Sequence, residues 1–335
     1  MFTRRRASLI PAVVAVLVML AAGPVSAQEY PRWSMSALLG GHLPNMRPLS
    51  DGLYKAPMLG EATILVYEGG NAQTGDTAVV DQNITEIRDF SINNPVPPVS
   101  AGTIGGVEFT WHPNDRHSLV IGMGSWESVS QNTINTNIPL QQYFVSNVVS
   151  NTRRDKISYT EYTVGWRYNL FSRPKLKLYS RVNMHEVFDI DFREDQSFLF
   201  VTSPIEGLAG VRRDMVVEAQ TASLLMGQVA LGAEWFLTDW LSVGVEGGYM
   251  VGERSFTLRD VTIKDDFLDT ATLDSDSISR NGLPYREMSD GTLGYLKPGT
   301  TPADVKDPET RESHYAPLVL GFDGWRFAFK VSFYY

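Results

Sequence analysis

The stretch Gly324-Trp-Arg-Phe-Ala-Phe-Lys-Val-Ser-Phe-Tyr-Tyr335 decides the fold. Taking every second residue from Trp325 gives Trp325, Phe327, Phe329, Val331, Phe333 and Tyr335. The residues between them are Arg326, Ala328, Lys330, Ser332 and Tyr334. Period-two alternation places the two sets on opposite faces of a β-strand. One face is almost wholly aromatic, which is heavy for the core of a soluble sheet. About eleven residues is also the length a tilted strand needs to cross a bilayer.

The other end of the chain agrees. Arg4, Arg5 and Arg6 precede an apolar run from Leu9 to Ala22, and Val25-Ser26-Ala27 is a small-residue cleavage site. This predicts a secretory signal peptide over residues 1–27, because the run is too short for a transmembrane helix. Cleavage leaves residues 28–335, with 26 basic against 38 acidic residues and a formal charge of −12. An acidic chain of this kind excludes nucleic acid as a partner, whose backbone demands basic patches. The chain has no cysteine, which excludes disulfides, thiolate metal sites and cysteine catalysis. A hydrophobic fraction of 43% is compatible with membrane strands, because only alternate residues of each face lipid.

Seven further segments share the alternation of the last. They run from about Arg32 to Gly41, Thr103 to His112, His117 to Glu127, Ile157 to Leu170, Leu176 to His185, Ala222 to Phe236 and Trp240 to Val251. Three connections are tight turns, such as Pro113-Asn-Asp-Arg116 and Ser172-Arg-Pro-Lys175. The other four are long, over about 42–102, 128–156, 186–221 and 252–322. Short turns alternating with long loops, on an even number of strands, predict a transmembrane up-and-down antiparallel β-barrel. Eight strands is the primary reading. Strand-like patches at Glu61–Tyr67, Tyr143–Val149 and Phe198–Val201 leave ten or twelve as the alternative, or else strands that rise above the membrane as ribbons. The fourth loop, rich in Asp and Gly, reads as a mobile surface loop.

This topology puts Trp33, Trp111, Trp166, Trp235 and Trp240, with Phe333 and Tyr335, at the periplasmic strand ends as an aromatic girdle. Trp126 and Trp325 fall at the outer ends. Trp126 and Trp240 have the wrong parity for lipid, so the girdle reading requires a bulge or a turn at each. The faces opposite the apolar ones carry Glu108, Glu161, Glu234 and Glu246, with Arg167, Lys177, Arg181, Arg326 and Lys330. Eight strands leave an interior just wide enough for side chains, and buried charges must pair. The expectation is a packed ion-pair network, not a water-filled channel.

The signal peptide, the eight alternating strands, the turn and loop rhythm and the aromatic C-terminus together resemble the small Gram-negative outer-membrane barrels of the OmpA and OmpW type. No peptidoglycan-binding domain follows the last strand. The resemblance implies a non-enzymatic outer-membrane protein, with a structural role, a surface-interaction role, or passage of small apolar solutes. It also implies membrane lipid and lipopolysaccharide as partners, and delivery by the barrel-assembly machinery through the C-terminal strand. Any extracellular partner is left open.

An outer-membrane hydrolase and a larger solute-conducting porin are the alternatives. A hydrolase needs a nucleophile or an activated water beside an acid–base group. His185 is the strongest of five histidines, but Glu186 beside it points to the other face. Neither Gly-x-Ser-x-Gly nor His-Glu-x-x-His occurs, so no catalytic residue, metal or cofactor is expected. Asp274-Ser-Asp276 resembles the start of a calcium loop without its glycine or closing Glu. Arg153, Arg154, Arg212 and Arg213 precede descending strands and are candidates to grip lipopolysaccharide phosphates.

Overall fold

The computed structural model describes residues 32–46, 58–67, 82–92, 94–95, 101–140, 145–202, 210, 212–252, 256–265 and 284–335. The signal-peptide segment and the Asp274 segment lie outside them.

Eight strands form a closed antiparallel ring. They are β1 Trp33–Pro44, β2 Gly102–Trp111, β3 His117–Leu140, β4 Val145–Arg173, β5 Leu176–Thr202, β6 Leu224–Phe236, β7 Leu241–Val251 and β8 Gly324–Tyr334. Each pairs with its sequence neighbours, and β8 pairs back on β1 from Tyr334↔Ser34 to Gly324↔Pro44. A closed ring has no edge strand, so every backbone polar group inside the bilayer finds a partner on an adjacent strand. The patches at 61–67, 143–149 and 198–201 add no strand to it. The first belongs to a separate hairpin, Met58–Tyr67 with Gln82–Ile92; of the others, residues 145–149 and 198–201 are upper parts of β4 and β5, and 143–144 lie outside the described residues.

Alternation decides which side of the wall each residue occupies. Leu39, Phe109, Ile121, Val164, Val182, Leu231, Val245 and Phe329 are exposed on the outside, although all are apolar. Water does not tolerate so large a continuous apolar surface; lipid does. The band runs from Trp33 to Leu43 on β1 and from Trp325 to Tyr335 at the end of the chain, eleven residues in each case. This is a membrane-spanning barrel of the outer-membrane kind.

Three strands continue beyond the band. β3, β4 and β5 rise above it, and β5 then pairs with Arg212–Thr221, which in turn pairs with Arg259–Asp265. A bulge marks the exit of β5 from the membrane. Ser158 pairs with Asp191 but Thr160 with Phe188, so β5 carries one extra residue there, and Asp189 takes a left-handed φ of 49°. The bulge inverts the alternation. Below it, odd-numbered residues Tyr179 to Val187 face inward; above it, the even-numbered Ile190, Phe192 and Glu194 do.

The fourth long connection is not a mobile surface loop over its described residues. It includes a three-stranded sheet, Tyr285–Glu287, Leu293–Leu296 and Tyr315–Pro317, a small pair, Phe256–Thr257 with Val319–Leu320, and two short helical turns, Pro302–Lys306 and Arg311–His314. Its Tyr285, Leu293, Leu318, Leu320 and Phe322 are buried against Ile157, Phe192, Met215 and Val217 of the raised wall. The apolar residues of the loop are spaced too irregularly for either period, which is why a composition rich in Asp and Gly dominated the sequence reading. Together, wall and loop make a folded cap with its own core above the barrel.

Candidate functional site in the lumen and the cap

The lumen is built from inward residues contributed by all eight strands. At its centre Lys330 of β8 donates to Glu246 of β7 at 2.7 Å and to Glu108 of β2 at 2.9 Å. Arg181 of β5 lies 2.7 Å from Glu108 and 3.4 Å from Glu246, and the Tyr179 hydroxyl donates to Glu246 at 3.0 Å. Two acids and two bases therefore close into a four-membered, charge-neutral ring of ion pairs. Towards the periplasmic end, Arg167 donates to Glu234 at 2.6 Å and stacks its guanidinium 3.8 Å over the Tyr179 ring. Glu234 also accepts from Ser242 and Tyr334, each at 2.5 Å. Lys177 sits over the Phe236 and Tyr334 rings. Towards the outside, Arg326 holds Glu161 with two hydrogen bonds, at 2.6 and 2.9 Å.

All nine charged residues named from the alternation are thus inside the barrel, where Arg167 pairs with Glu234, Arg326 with Glu161, and Arg181 and Lys330 with Glu108 and Glu246. Small residues make the packing feasible. Gly232 faces inward opposite Tyr179, and a Cβ there would lie 2.2 Å from the tyrosine ring. The void left in this network is about 20 Å³, room for one water.

Three histidines also face inward. His185 is buried, with Nδ1 2.9 Å from the Thr163 hydroxyl and Nε2 3.0 Å from Gln228 Oε1. Its Nδ1 is also 3.3 Å from Glu161, whose carboxylate is already held by Arg326. This is a satisfied core histidine with no opening for substrate. His112 is buried inside the barrel near its short turns, between Ser34 at 3.0 Å and Ser118 at 2.8 Å.

An aromatic layer closes the outer end. The Trp126 ring stacks on Tyr159 with centroids 5.2 Å apart, and Tyr159 meets Phe322 at 4.9 Å. His42 Nδ1 bonds the Tyr159 hydroxyl at 2.9 Å. Trp126 is only 1% exposed, so it is not a girdle residue and no bulge displaces it. Its parity is that of the lumen, where Gly102 on the next strand leaves room for the indole. Trp240 occupies a turn, as its parity required, and stacks on Phe333. Trp33, Trp111, Trp166, Trp235 and Tyr335 are exposed around the periplasmic rim of the band.

Above this layer, the cap contains a buried polar cluster that sequence reasoning missed. Arg153 and Asp155 of β4 face Glu194 and Gln196 of β5, with Tyr285 of the final loop over them. Arg153 Nη2 donates to Glu194 at 2.9 Å and to the Tyr285 hydroxyl at 2.9 Å, and that hydroxyl donates to Glu194. Arg153 therefore does not face lipopolysaccharide. It shares the parity of Glu161 and Arg167 along one uninterrupted strand, and stepping back from Glu161 by twos would have found it. Arg154, the next residue, is exposed, and Arg212 is exposed and donates to Asp214 at 2.8 Å. The side chain of Arg213 lies outside the described residues. No group of three or more metal-ligating side chains occurs among the described residues.

No protein-family model and no curated protein matches the chain. Solved structures resemble it weakly. CarO2 of Acinetobacter baumannii is 14% identical over 72% of this chain and 100% of its own, with a TM-score of 0.26. The outer membrane protease OmpT of Escherichia coli is 10% identical over 90% and 97%, with a TM-score of 0.26. A FadL homologue of Pseudomonas aeruginosa is 8% identical over 90% of each chain, with a TM-score of 0.19. The expectation that the chain is no enzyme is corrected here. A protease is among the barrels it resembles, so this architecture does not by itself set enzymes aside.

Proposed function

We propose that the membrane barrel is a non-conducting anchor and that the folded cap carries the protein's role at the cell surface. The ion-paired lumen carries this reading. A solute crossing the barrel would have to part Arg181 and Lys330 from Glu108 and Glu246, and then displace the Trp126, Tyr159 and Phe322 layer. Separating a buried ion pair costs about 3–5 kcal/mol for each uncompensated charge, and here the charges interlock. This argues against both the larger porin and a passage for small apolar solutes. Planar-bilayer recording of the purified protein tests it: the expected trace shows no unitary steps, and stable single-channel currents would overturn the reading.

In the same proposal the protein reaches a Gram-negative outer membrane after cleavage following Ala27, as in barrels of the OmpA and OmpW type. The barrel-assembly machinery recognises its aromatic last strand. Arg154 and Arg212 face outward above the band, where lipopolysaccharide phosphates lie, and a guanidinium suits phosphate in a bidentate grip. Replacing both with Ser should reduce co-purifying lipopolysaccharide; an unchanged amount would remove this contact from the proposal.

A further inference from the structure

The cap cluster holds more acid than base. Asp155 and Glu194 are both 0% exposed in their side chains and are directly paired across β4 and β5. Like charges opposite each other in a sheet repel, and burial makes ionising both far more costly. Among the described residues, the base facing them is Arg153. From β3 the neighbour of Asp155 is Ser130, from the Arg212–Thr221 strand the neighbour of Glu194 is Val217, and the final loop contributes Tyr285. Gln196 is neutral and donates to Glu194 at 2.5 Å.

The hydrogen bonds are unevenly shared. Glu194 accepts from Arg153, Gln196 and Tyr285. Among the described residues neither oxygen of Asp155 accepts a well-formed hydrogen bond; Arg153 Nε approaches only to 3.5 Å. A carboxylate in that position is unsatisfied; a protonated carboxyl becomes a donor towards Glu194. We propose that the Asp155 carboxyl holds a proton directed at Glu194, and that this proton keeps the final loop docked on the raised wall, so that rising pH loosens the cap.

The charge count supports it. With the proton present, one carboxylate balances one guanidinium and the cluster is neutral. Loss of the proton from the Asp155 carboxyl to hydroxide, forming water, leaves two carboxylates against Arg153. Tyr285 reaches Glu194 through its hydroxyl, so the excess charge appears at the point where the loop is fastened to the wall. Burial, together with the neighbouring Glu194, lifts the Asp155 carboxyl well above the ordinary carboxylate range, with Arg153 opposing. The proposal concerns the cap alone and stands apart from the non-conducting lumen.

Hydrogen exchange of the full-length protein in detergent micelles tests it. The reporters are the amides of Leu293, Leu296 and Leu318, which bond within the cap to Leu258, Pro284 and Leu293 at 2.7–2.8 Å. After correction for the intrinsic exchange rate, their protection should fall by up to about tenfold for each pH unit between the ordinary carboxylate pKa, which Asp155 regains when the cap opens, and its higher value in the docked cap, and should level off above that. In Asp155→Asn, which needs no proton to be neutral, protection should stay level. Should that variant fail to fold, Glu194→Gln leaves one carboxylate for Arg153 and should also stay level. Wild-type protection that is independent of pH from 5 to 10, or an equal fall in a folded variant, overturns the proposal.

Discussion

Arg326 on the closing strand holds Glu161 on the strand diametrically opposite, with Nη1 to Oε2 at 2.9 Å and Nη2 to Oε1 at 2.6 Å. The pair spans the lumen between β8 and β4, which lie four places apart in a ring of eight. A bidentate pair of this kind fixes both position and angle. It therefore acts as a cross-brace between walls that share no backbone hydrogen bond.

Removing one partner should be far more damaging than removing both. Glu161→Ala leaves a buried guanidinium uncompensated and should destabilise the barrel by about 3–5 kcal/mol. The double variant Glu161→Leu with Arg326→Met should recover most of that loss, because apolar replacement of a whole buried pair is often neutral. Urea unfolding in lipid vesicles measures both. Equal losses in the single and double variants would show that the pair does not act as a brace.

Gly232 gives a steric prediction. A methyl at this position meets the Tyr179 ring at 2.2 Å, so Gly232→Ala should cost about 1–3 kcal/mol through overpacking. In a Tyr179→Phe background much of the loss should persist, since the ring carbons at 2.2 and 2.6 Å stand in the way as well as the hydroxyl at 2.4 Å. With Tyr179→Ala it should vanish, a coupling that a double-mutant cycle reads directly. Gly232→Ala as stable as wild type would mean that Tyr179 lies elsewhere.

The tryptophans separate by environment. Single-Trp variants in vesicles of brominated lipid should show strong quenching for Trp235 and Trp325, both exposed in the apolar band. Trp126 should be unquenched, since Tyr159 and Phe322 enclose it. Equal quenching of all three would return Trp126 to the lipid face.

Asp155 sets a pH dependence whose sign follows from linkage. Its carboxyl titrates higher in the folded cap than in the unfolded chain, so the folded state binds the extra proton between the two pKa values. Cap stability therefore falls as pH rises through that window, and is greatest near and below the unfolded value as far as this group is concerned. The stability of Asp155→Asn relative to wild type should grow with pH across the same window, measured by proteolysis of the cap at fixed urea. A gap that shrinks with pH would contradict the assignment.

Much of the barrel was legible from one rule. Alternation named the eight strands, and the first residues of seven agree with the structure within one or two residues, as at His117, Leu176 and Gly324, whereas β4 begins at Val145 and not near Ile157 because it rises above the membrane. It also assigned Glu108, Arg181 and Lys330 to one compartment, because a membrane strand has only two sides. The rule fails where its period is interrupted. The bulge at Asp189 inverts the parity of β5, so Phe192 and Glu194 could not be assigned by counting from Tyr179. Trp126 was misplaced for a different reason: an aromatic residue at a strand end was read as girdle although its parity pointed inward.

By itself, the sequence determined that ribbons with one apolar face would close on themselves in lipid, since a strand with six large apolar side chains on one face, five of them aromatic, is too heavy on that face for a soluble sheet. Only the tertiary structure decided which charge meets which, and that the last long connection is folded. Pairing across the lumen depends on register and ring order, and the cap's core is assembled from segments far apart in the chain. Neither quantity is local, so neither leaves a period in the sequence.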